Sequence, residues 1–585
     1  GHILFYVPTH ALAEEAAEIF RNLPGGADLP SLVLRGRSAI NPSTGMPMCQ
    51  RWELAEELSG KVDSITQMLC KTEQESGMIT EAPCAQGCPY LAQSEIWKKH
   101  VIFLPHSYLT LKIPVEGPVA LRIIDEKFWG SLIEHVSIPI GDWERRPWFD
   151  GLDQKDHDSP DGQSRLARRT VLEALTANEP IPDALSEKDF DGNKLEELAR
   201  IERQRLAPPE IKPTMDDRSI SRQIEKNMGS WNDVAFRDAA IFDLLAKTAG
   251  QPNTERLHLS VEPRKKKNKN EEPTERVLNA HYLKELRQDC PYILLDADLD
   301  ETITRQFFHQ PEVKELQCRP QAEVVQIKKN TFSDTWLLAK GEKGREDPEL
   351  ATKRCKDVLS IIEREGVRAE GKVLVVATKK VLRKLYHVNQ TSRDELPRDL
   401  NEDEDSYKIS AALRGLKTDP IKLPPLKGAD VRWFGPRMLG VNDFEDHSTI
   451  VVVGRLQPPV NAIENDTRAL FGDGDRPLQF VEEARLDNKM IPGADGVCWK
   501  VQVHPDPRAQ AVLQQTREAG SEQAIARLRL IDPKGKKKVL ILSDLPLPTL
   551  PADRRVSLAQ LMGHPELLEP MPDLDKLQRA LKRPD

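Results

Sequence analysis

Long hydrophobic runs are missing from this sequence. No stretch of its 585 residues approaches the ~20 consecutive apolar residues that a bilayer-spanning helix needs, so there is no candidate for one. The opening GHILFYVPTH has neither a basic n-region nor a small-residue cleavage site, which excludes a secretory signal. Cysteine is scarce. The chain has 8, too few for a disulfide scaffold, and four of them fall between Cys49 and Cys88. That usage points to a reducing, cytoplasmic setting with one clustered thiol site. Excess positive charge is also absent: the formal net charge is −9, so the chain is not a bulk polycation. Any nucleic-acid surface has to be a local basic stripe on an acidic whole. There are no internal repeats.

What is present suits a globular protein of several domains. Hydrophobic residues make up 39% and charged residues 30%, and the length suggests about three to five domains. The first residue is Gly and ILFYV reads as a strand already under way, so the chain is expected to be a fragment that begins inside a domain. ALAEEAAEIFRNL follows with helical spacing and is stopped by PGG. SLVL, VIFLPH and ALRIID read as further strands, and strand–helix alternation of this kind indicates a parallel α/β sheet. From Trp143 the character changes to a polar loop and helical stretches (RLARRTVLEALTA, KLEELARIERQRL, VAFRDAAIFDLLAKTAG), expected to be a helical insertion over 143–280. RKKKNKN, 264–270, reads as a solvated charge run, and the aromatics of WERRPWF as core or loop packing rather than base-stacking groups. PYILLDADLDETITRQFF returns to strand then helix. A second α/β region over 326–585 follows, with KVLVVATKKVLRKLY, VRWFG, STIVVVGRL, ARLRLID and KKKVLILSDLPLP.

The strand ALRIID ends in Asp125 and Glu126, and α/β proteins bind ligands at the carboxyl ends of strands. IIDEKF fits a Walker B arrangement, in which Asp125 holds Mg²⁺ and Glu126 orients an attacking water. Many strands end in Asp-Glu before a turn, so the pair is informative only with its neighbours. Those neighbours come in a telling order. PTHALAEEA resembles helicase motif Ia, whose Thr (here Thr9, with His10 beside it) and helix N-terminus contact a DNA phosphate. LLDADLDET resembles motif III, with Asp296 at the nucleotide side. KVLVVATKKVLRKL resembles motif IV. FGPRMLGVNDFEDHSTIVVVGR resembles motif V, placing Gly440, Asn442 and Asp446 at an interdomain face. QAIARLR resembles motif VI, in which Gln523, Arg527 and Arg529 reach for the γ-phosphate.

Together, over nearly the whole chain, these motifs resemble a superfamily-two DNA helicase, and within it the XPD/DinG-type iron–sulfur helicases. The resemblance implies an α/β fold of two RecA-like P-loop motor domains. The first would span 1–142 and 281–325, interrupted by a cysteine-rich insertion at 35–100 and the helical insertion at 143–280; the second would be 326–585. It implies ATP and Mg²⁺ as cofactors, single-stranded and forked DNA as substrate, replication or repair proteins as partners, and 5′ to 3′ movement. The sequence departs from the pattern in several places. It has no Gly-x-x-x-x-Gly-Lys-Ser/Thr loop, DEKF stands where relatives have DEAH, Ala526 replaces a common Gly, and Asp298 stands where Thr is usual. The rival expectation is a non-catalytic nucleic-acid-binding or scaffolding protein that keeps the two-domain shell.

Cys49, Cys70, Cys84 and Cys88 are separated by twenty, thirteen and three residues. Four thiolates from one insertion suit either a tetrahedral Zn²⁺ or a [4Fe–4S] cluster, and the spacing does not separate these. Unrelated buried thiols are the third alternative. RGRSAINPSTGMPMC and CPYLAQSEIWKKHVIFLPHSYL resemble the flanks of the cluster cysteines in the XPD group, which implies the iron–sulfur form. His106, at the end of VIFLP, stands where relatives have a histidine near the DNA path, with a positioning role as the simpler expectation.

Overall fold

The computed structural model describes residues 1–563 except 60–61, 63, 74–76, 94–99, 112, 114–116, 150–158, 206–209, 228–230, 253, 264–273, 317, 329, 342–344, 392–395, 397–399, 401–422, 436–443, 482–484 and 493–497. Gly440, Asn442 and the basic run at 264–270 therefore lie outside the described residues.

The first half of the chain supplies ten strands: β1 (His2–Val7), β2 (Ser31–Val33), β3 (Lys71–Glu73), β4 (Ile79–Glu81), β5 (Val101–Pro105), β6 (Val119–Asp125), β7 (Ile133–Pro139), β8 (Leu257–Pro263), β9 (Thr274–Leu283) and β10 (Tyr292–Leu295). Five of them form a parallel sheet in the order β10–β6–β1–β5–β2. β5 is buried at every position, the continuous apolar run of a strand covered on both faces. Between β1 and β2 the helix His10–Asn22 is started by Thr9, whose hydroxyl accepts from the Leu12 amide at 3.4 Å. The register sets Leu295 beside Asp125, so the carboxyl ends of β6 and β10 emerge together.

The region expected to be a helical insertion differs from that expectation in one respect: it is not helical throughout. β7, β9 and β8 form an antiparallel sheet, so the boundaries at 142 and 280 cut through a single unit that begins near β7. LHLSVEP and VLNAHYL do alternate apolar and polar residues, as a strand with one face on a core should, but they close a region dominated by helical stretches. The helices Pro160–Ala177, Gly192–Gln204 and Trp231–Thr248 pack on this sheet around a core containing Trp143, Val171, Leu195, Phe242 and Leu278. Trp143 is fully buried, which confirms packing as the role of that aromatic. Inside this core Asp238 receives both Arg146 (2.8 Å) and Arg168 (2.7 Å), and Glu202 pairs with Arg168 at 3.0 Å. Burial of these carboxylates is offset by pairing.

The second half contributes β11 (Glu323–Ile327), β12 (Lys372–Ala377), β13 (Asp430–Trp433), β14 (His447–Val453), β15 (Asp487–Pro492), β16 (Cys498–Val503), β17 (Lys538–Leu542) and β18 (Arg554–Val556). All but the β15–β16 ribbon join a six-stranded parallel sheet ordered β13–β12–β14–β17–β11–β18. β11 starts at Glu323, so a boundary at 325/326 would split a strand of this sheet. ARLRLID is a helix end and loop rather than a strand. The two sheets are tied by one shared core: Leu4, Tyr6 and Ile124 of the first unit cluster with Ile463, Leu470, Val512 and Leu513 from helices of the second. Among the described residues no helix is long and apolar enough to cross a membrane.

Candidate active site at the carboxyl end of the first sheet

Asp125 closes β6 and Glu126 turns away from it in a left-handed conformation (φ 66°), its amide bonded to the Leu295 carbonyl at 2.7 Å. A non-glycine residue at positive φ is uncommon and carries strain. Here the turn sets the two carboxylates beside Asp296, which follows β10. Burial raises the Asp125 carboxyl, and repulsion from Asp296 adds to it. Burial also raises Glu126, with Asp125 and Asp296 pushing the same way against the pull of Arg527. Asp296 is raised by burial as well. The site is thus short of positive charge.

Cations approach from the second unit. Arg527 caps the end of the helix Pro507–Ala526 and places Nη2 3.8 Å from Glu126 Oε1. Its Nε is buried without a hydrogen-bond partner, burial lowers its pKa, and Glu126, Glu15 and Asp125 oppose that shift. Arg529 is exposed in a left-handed turn (φ 56°) and acts on Glu445 rather than on the β6 carboxylates. Gln523 is half-buried on the same helix. Asp446 immediately precedes β14, is exposed, and has Lys534 and Lys537 as its electrostatic neighbours. Of the three motif VI residues, the fold brings Arg527 onto the carboxylates.

Asp298 and three residues that the sequence did not single out, Lys127, Gln515 and Glu522, complete the site. Lys127 lies over the Trp129 ring at 4.2 Å and donates to the Gln515 carbonyl at 3.2 Å. Burial pulls it down to about 8, resisted by Asp466, Asp296 and Asp298. Gln515 in turn donates to the Asp298 carbonyl. The Asp298 and Glu522 carboxyls are hydrogen-bonded across the units, and burial followed by their mutual repulsion drives Asp298 up. Glu522 also accepts from the Thr549 amide at 2.9 Å. The only sequence signal for this set is that Lys127 follows the carboxylate pair directly.

The residues expected to meet DNA lie on the adjoining strand ends. Thr9 and His10 follow β1. His10 is half-buried with Nδ1 unpartnered, and burial, then Arg35, lowers its pKa. His106 is 7% exposed, and its Nε2 meets the Asp125 carbonyl at 2.9 Å. Burial takes it to about 4. A neutral ring with this little exposure, bonded to the Asp125 carbonyl, fixes the end of β6.

Two of the four cysteines, Cys49 and Cys70, meet at Arg37. Its Nη1 donates to Cys49 Sγ at 3.4 Å and Cys70 Sγ at 3.3 Å, Nη2 donates to Thr66 at 2.8 Å, and the guanidinium lies 4.2 Å from the Tyr90 ring. Cys70 ends the short helix Ile65–Leu69 and Cys88 begins Pro89–Ala92. Burial raises Cys84, and Cys49, Cys70 and Cys88 all act on it electrostatically. The thiols are neighbours but do not close on one point. Among the described residues no three His, Cys, Asp or Glu side chains are grouped to hold a single metal ion.

Compared with known proteins, the sequence matches no family model and no curated protein.

Proposed function

We propose that the chain is the body of an ATP-dependent DNA translocase, a helicase of the XPD/DinG type whose two motor domains are the two parallel-sheet units. The observation that carries this reading is Arg527 reaching across the units to Glu126, with Asp125 and Asp296 alongside. A trans-acting arginine facing a water-orienting carboxylate is the arrangement that phosphoryl transfer uses. The buried, mutually repelling oxygens of Asp125, Glu126 and Asp296 suit a hard divalent cation such as Mg²⁺, which supplies charge neutralisation for phosphate when bound. Asp125 and Asp296 would hold it and Glu126 would orient water. Arg527 would sense the γ-phosphate, and Lys127 would tie the pocket to the helix Pro507–Ala526. The sequence holds no Gly-x-x-x-x-Gly-Lys-Ser/Thr loop, so turnover is expected only when such a loop is supplied.

Cys49, Cys70, Cys84 and Cys88 have the donor chemistry of a four-thiolate site, which would have to draw the neighbouring sulfurs together on binding. A tetrahedral zinc would bring sulfurs to about 3.8 Å from one another, given Zn–S near 2.3 Å. Arg37 donates to both Cys49 and Cys70, the kind of hydrogen bond that would tune a cluster's potential; [4Fe–4S] is the proposed group on the XPD/DinG resemblance, Zn²⁺ being the alternative.

In a chain extended upstream with a phosphate-binding loop, Glu126→Gln is expected to keep nucleotide binding while DNA-stimulated hydrolysis falls about 10²–10³-fold. Nucleotide binding by filter assay and phosphate release would be measured side by side. Unchanged turnover in the variant would overturn the assignment. Absence of hydrolysis in the extended parent, with single-stranded DNA binding intact, would favour the non-catalytic shell.

A further inference from the structure

Three histidines stack across the antiparallel sheet of the insertion. His135 of β7, His281 of β9 and His258 of β8 lie on one face, with ring centroids 4.6 Å apart for His135–His281 (interplanar 7°) and 5.2 Å for His258–His281 (15°). His281 is 1% exposed. Neither His258 Nδ1 nor His281 Nε2 has a hydrogen-bond partner. Next to the rings that face is neutral, with Ser137 donating to Asn279 at 2.7 Å and Asn279 donating to Ser260 at 2.8 Å; beyond them it reaches Glu262, which accepts from the Ser260 hydroxyl at 3.1 Å. Stacked rings with unpartnered nitrogens and no carboxylate among their partners are stable only while uncharged.

This face is covered from the other half of the molecule. The helix Val460–Phe471 packs on β9 and β7, and its Arg468 acts on both buried histidines. Arg468 is anchored by the Glu255 carbonyl at 2.9 Å and by the Phe480 ring at 3.7 Å. Around it the turn before β8 is bolted to the turn after the helix. The Glu255 amide donates to Gly472 O at 2.6 Å, the Leu478 amide donates to Glu255 Oε2 at 2.6 Å, and Arg256 grips Asp473 Oδ1 at 3.1 and 2.8 Å. The remaining charged groups are engaged elsewhere. Glu464 receives the Val481 amide and faces His504, Asp466 faces Lys127, and Arg237 donates to the Ser137 carbonyl. Glu134 pairs with Lys284 on the opposite face of the sheet. Glu262 and Glu275 face each other at the outer end of β8 and β9, and among the described residues no carboxylate acts on His258 or His281.

We propose that the His135–His281–His258 stack is a proton-operated latch between the insertion and the second α/β unit. With neutral rings the sheet seats against the helix Val460–Phe471. Protonation of His258 and His281 sets two like charges face to face beside Arg468 and releases the helix, leaving the insertion to move independently of the second unit. The direction follows from linkage. Burial, then Arg468 and His135, hold His258 down at about 3. Burial, then His258, lowers His281 further. In the released state both rings regain the ordinary value near 6.5. A group depressed in the seated form contributes stability above its free pKa and loses it as pH falls. With two such groups the release equilibrium rises about 100-fold between pH 7.5 and 5.5. The proposal does not depend on the chain being a motor.

Amide hydrogen exchange, corrected for its intrinsic pH dependence, tests it on the full chain. Protection of Val460–Phe471 and β8 is expected to fall by up to about 100-fold between pH 7.5 and 5.5, while the β12–β14 core stays protected. His258→Phe with His281→Phe keeps the aromatic stack without a titrating proton and should hold protection constant over that range. His258→Gln alone should reduce the dependence to one proton. Arg256→Ala should lower protection equally at both pH values, leaving the pH dependence in place. Flat protection in the parent chain, or an undiminished fall in the histidine variants, would overturn the latch. Circular dichroism of each variant identifies any that do not fold, and His258→Gln on the edge strand then carries the test.

Discussion

At the scale of single residues the site is governed by a carboxyl pair rather than by its arginine. Asp298 and Glu522 face each other from the two units with burial on both, and Asp298 is pushed up to about 8 by burial, then by Glu522. A group raised in the folded state stabilises it below the free carboxylate pKa, and that stability is lost as pH climbs through the raised value. Asn imitates the protonated acid without titrating. Because the unfolded carboxylate is already ionised at pH 5, Asp298→Asn is expected to lie slightly above the parent in melting temperature there, with the margin widening as pH rises. At pH 9, where the parent carries two repelling carboxylates and the variant one, it should exceed the parent by about 1–2 °C. Differential scanning calorimetry at both values checks this, and a variant less stable at pH 9 than the parent would count against a shared proton. Lys127 makes the same point in the opposite sense. Its amine is held at about 8 by burial although three carboxylates oppose the shift, so the site balances desolvation against charge.

Among the elements, β14 shows how closely the second unit is built. Gly454 follows it at φ 74°, and a Cβ there would stand 2.5 Å from the Phe332 carbonyl oxygen. Both the left-handed backbone and the approach of another main chain require the missing side chain. Gly454→Ala should cost at least ~2 kcal/mol, read as a lower denaturant midpoint for the second unit. An unaffected midpoint would mean that the turn 331–333 gives way freely. The helix Pro507–Ala526 is the other deciding element. Val512 and Leu513 lie in the core of the first unit, while Ala524 and Ile525 lie in that of the second. One rigid rod thus fixes where Arg527 stands relative to Glu126.

Across the whole molecule the cysteine-rich and helical regions are joined to one another as well as to the parallel-sheet units. Arg51, 7% exposed, bridges from the cysteine region to the helical one. It donates to Leu69 O (3.1 Å), Pro213 O (2.8 Å) and Met215 O (2.7 Å), and pairs with Asp217 at 2.8 Å. Cys70 and Leu69 share a core with Ile220 and Ile224 of the helix Asp217–Asn227. A group held by the four thiols would therefore stabilise helices more than a hundred residues away in sequence, since its binding free energy is folding free energy. Protein purified without oxygen is expected to be brown and to contain iron with acid-labile sulfide. Stripping that iron should speed hydrogen exchange in Asp217–Asn227. Stoichiometric zinc in place of iron would overturn the cluster assignment.

Much of this protein was determined by sequence alone. The apolar runs that became β1, β5, β6, β12 and β14 were readable because parallel strands buried on both faces leave a continuous hydrophobic signal. Asp125 and Glu126 were readable for a related reason, since a carboxylate pair ending such a run marks the ligand-binding edge of a sheet. The antiparallel sheet of the insertion was not, although LHLSVEP and VLNAHYL alternate apolar and polar residues, because the long helical stretches between β7 and β8 dominate the pattern of that region. Nor were the partners of the site: Lys127 meets Gln515 across 388 residues, and no local pattern encodes a contact of that span. Which arginine of QAIARLR faces the carboxylates was decided only when the helix Pro507–Ala526 packed into both units. The sequence specifies which strands form and which groups end them, through local hydrophobic and turn preferences. The tertiary structure decides which of those groups share a desolvated space, and with it their charge.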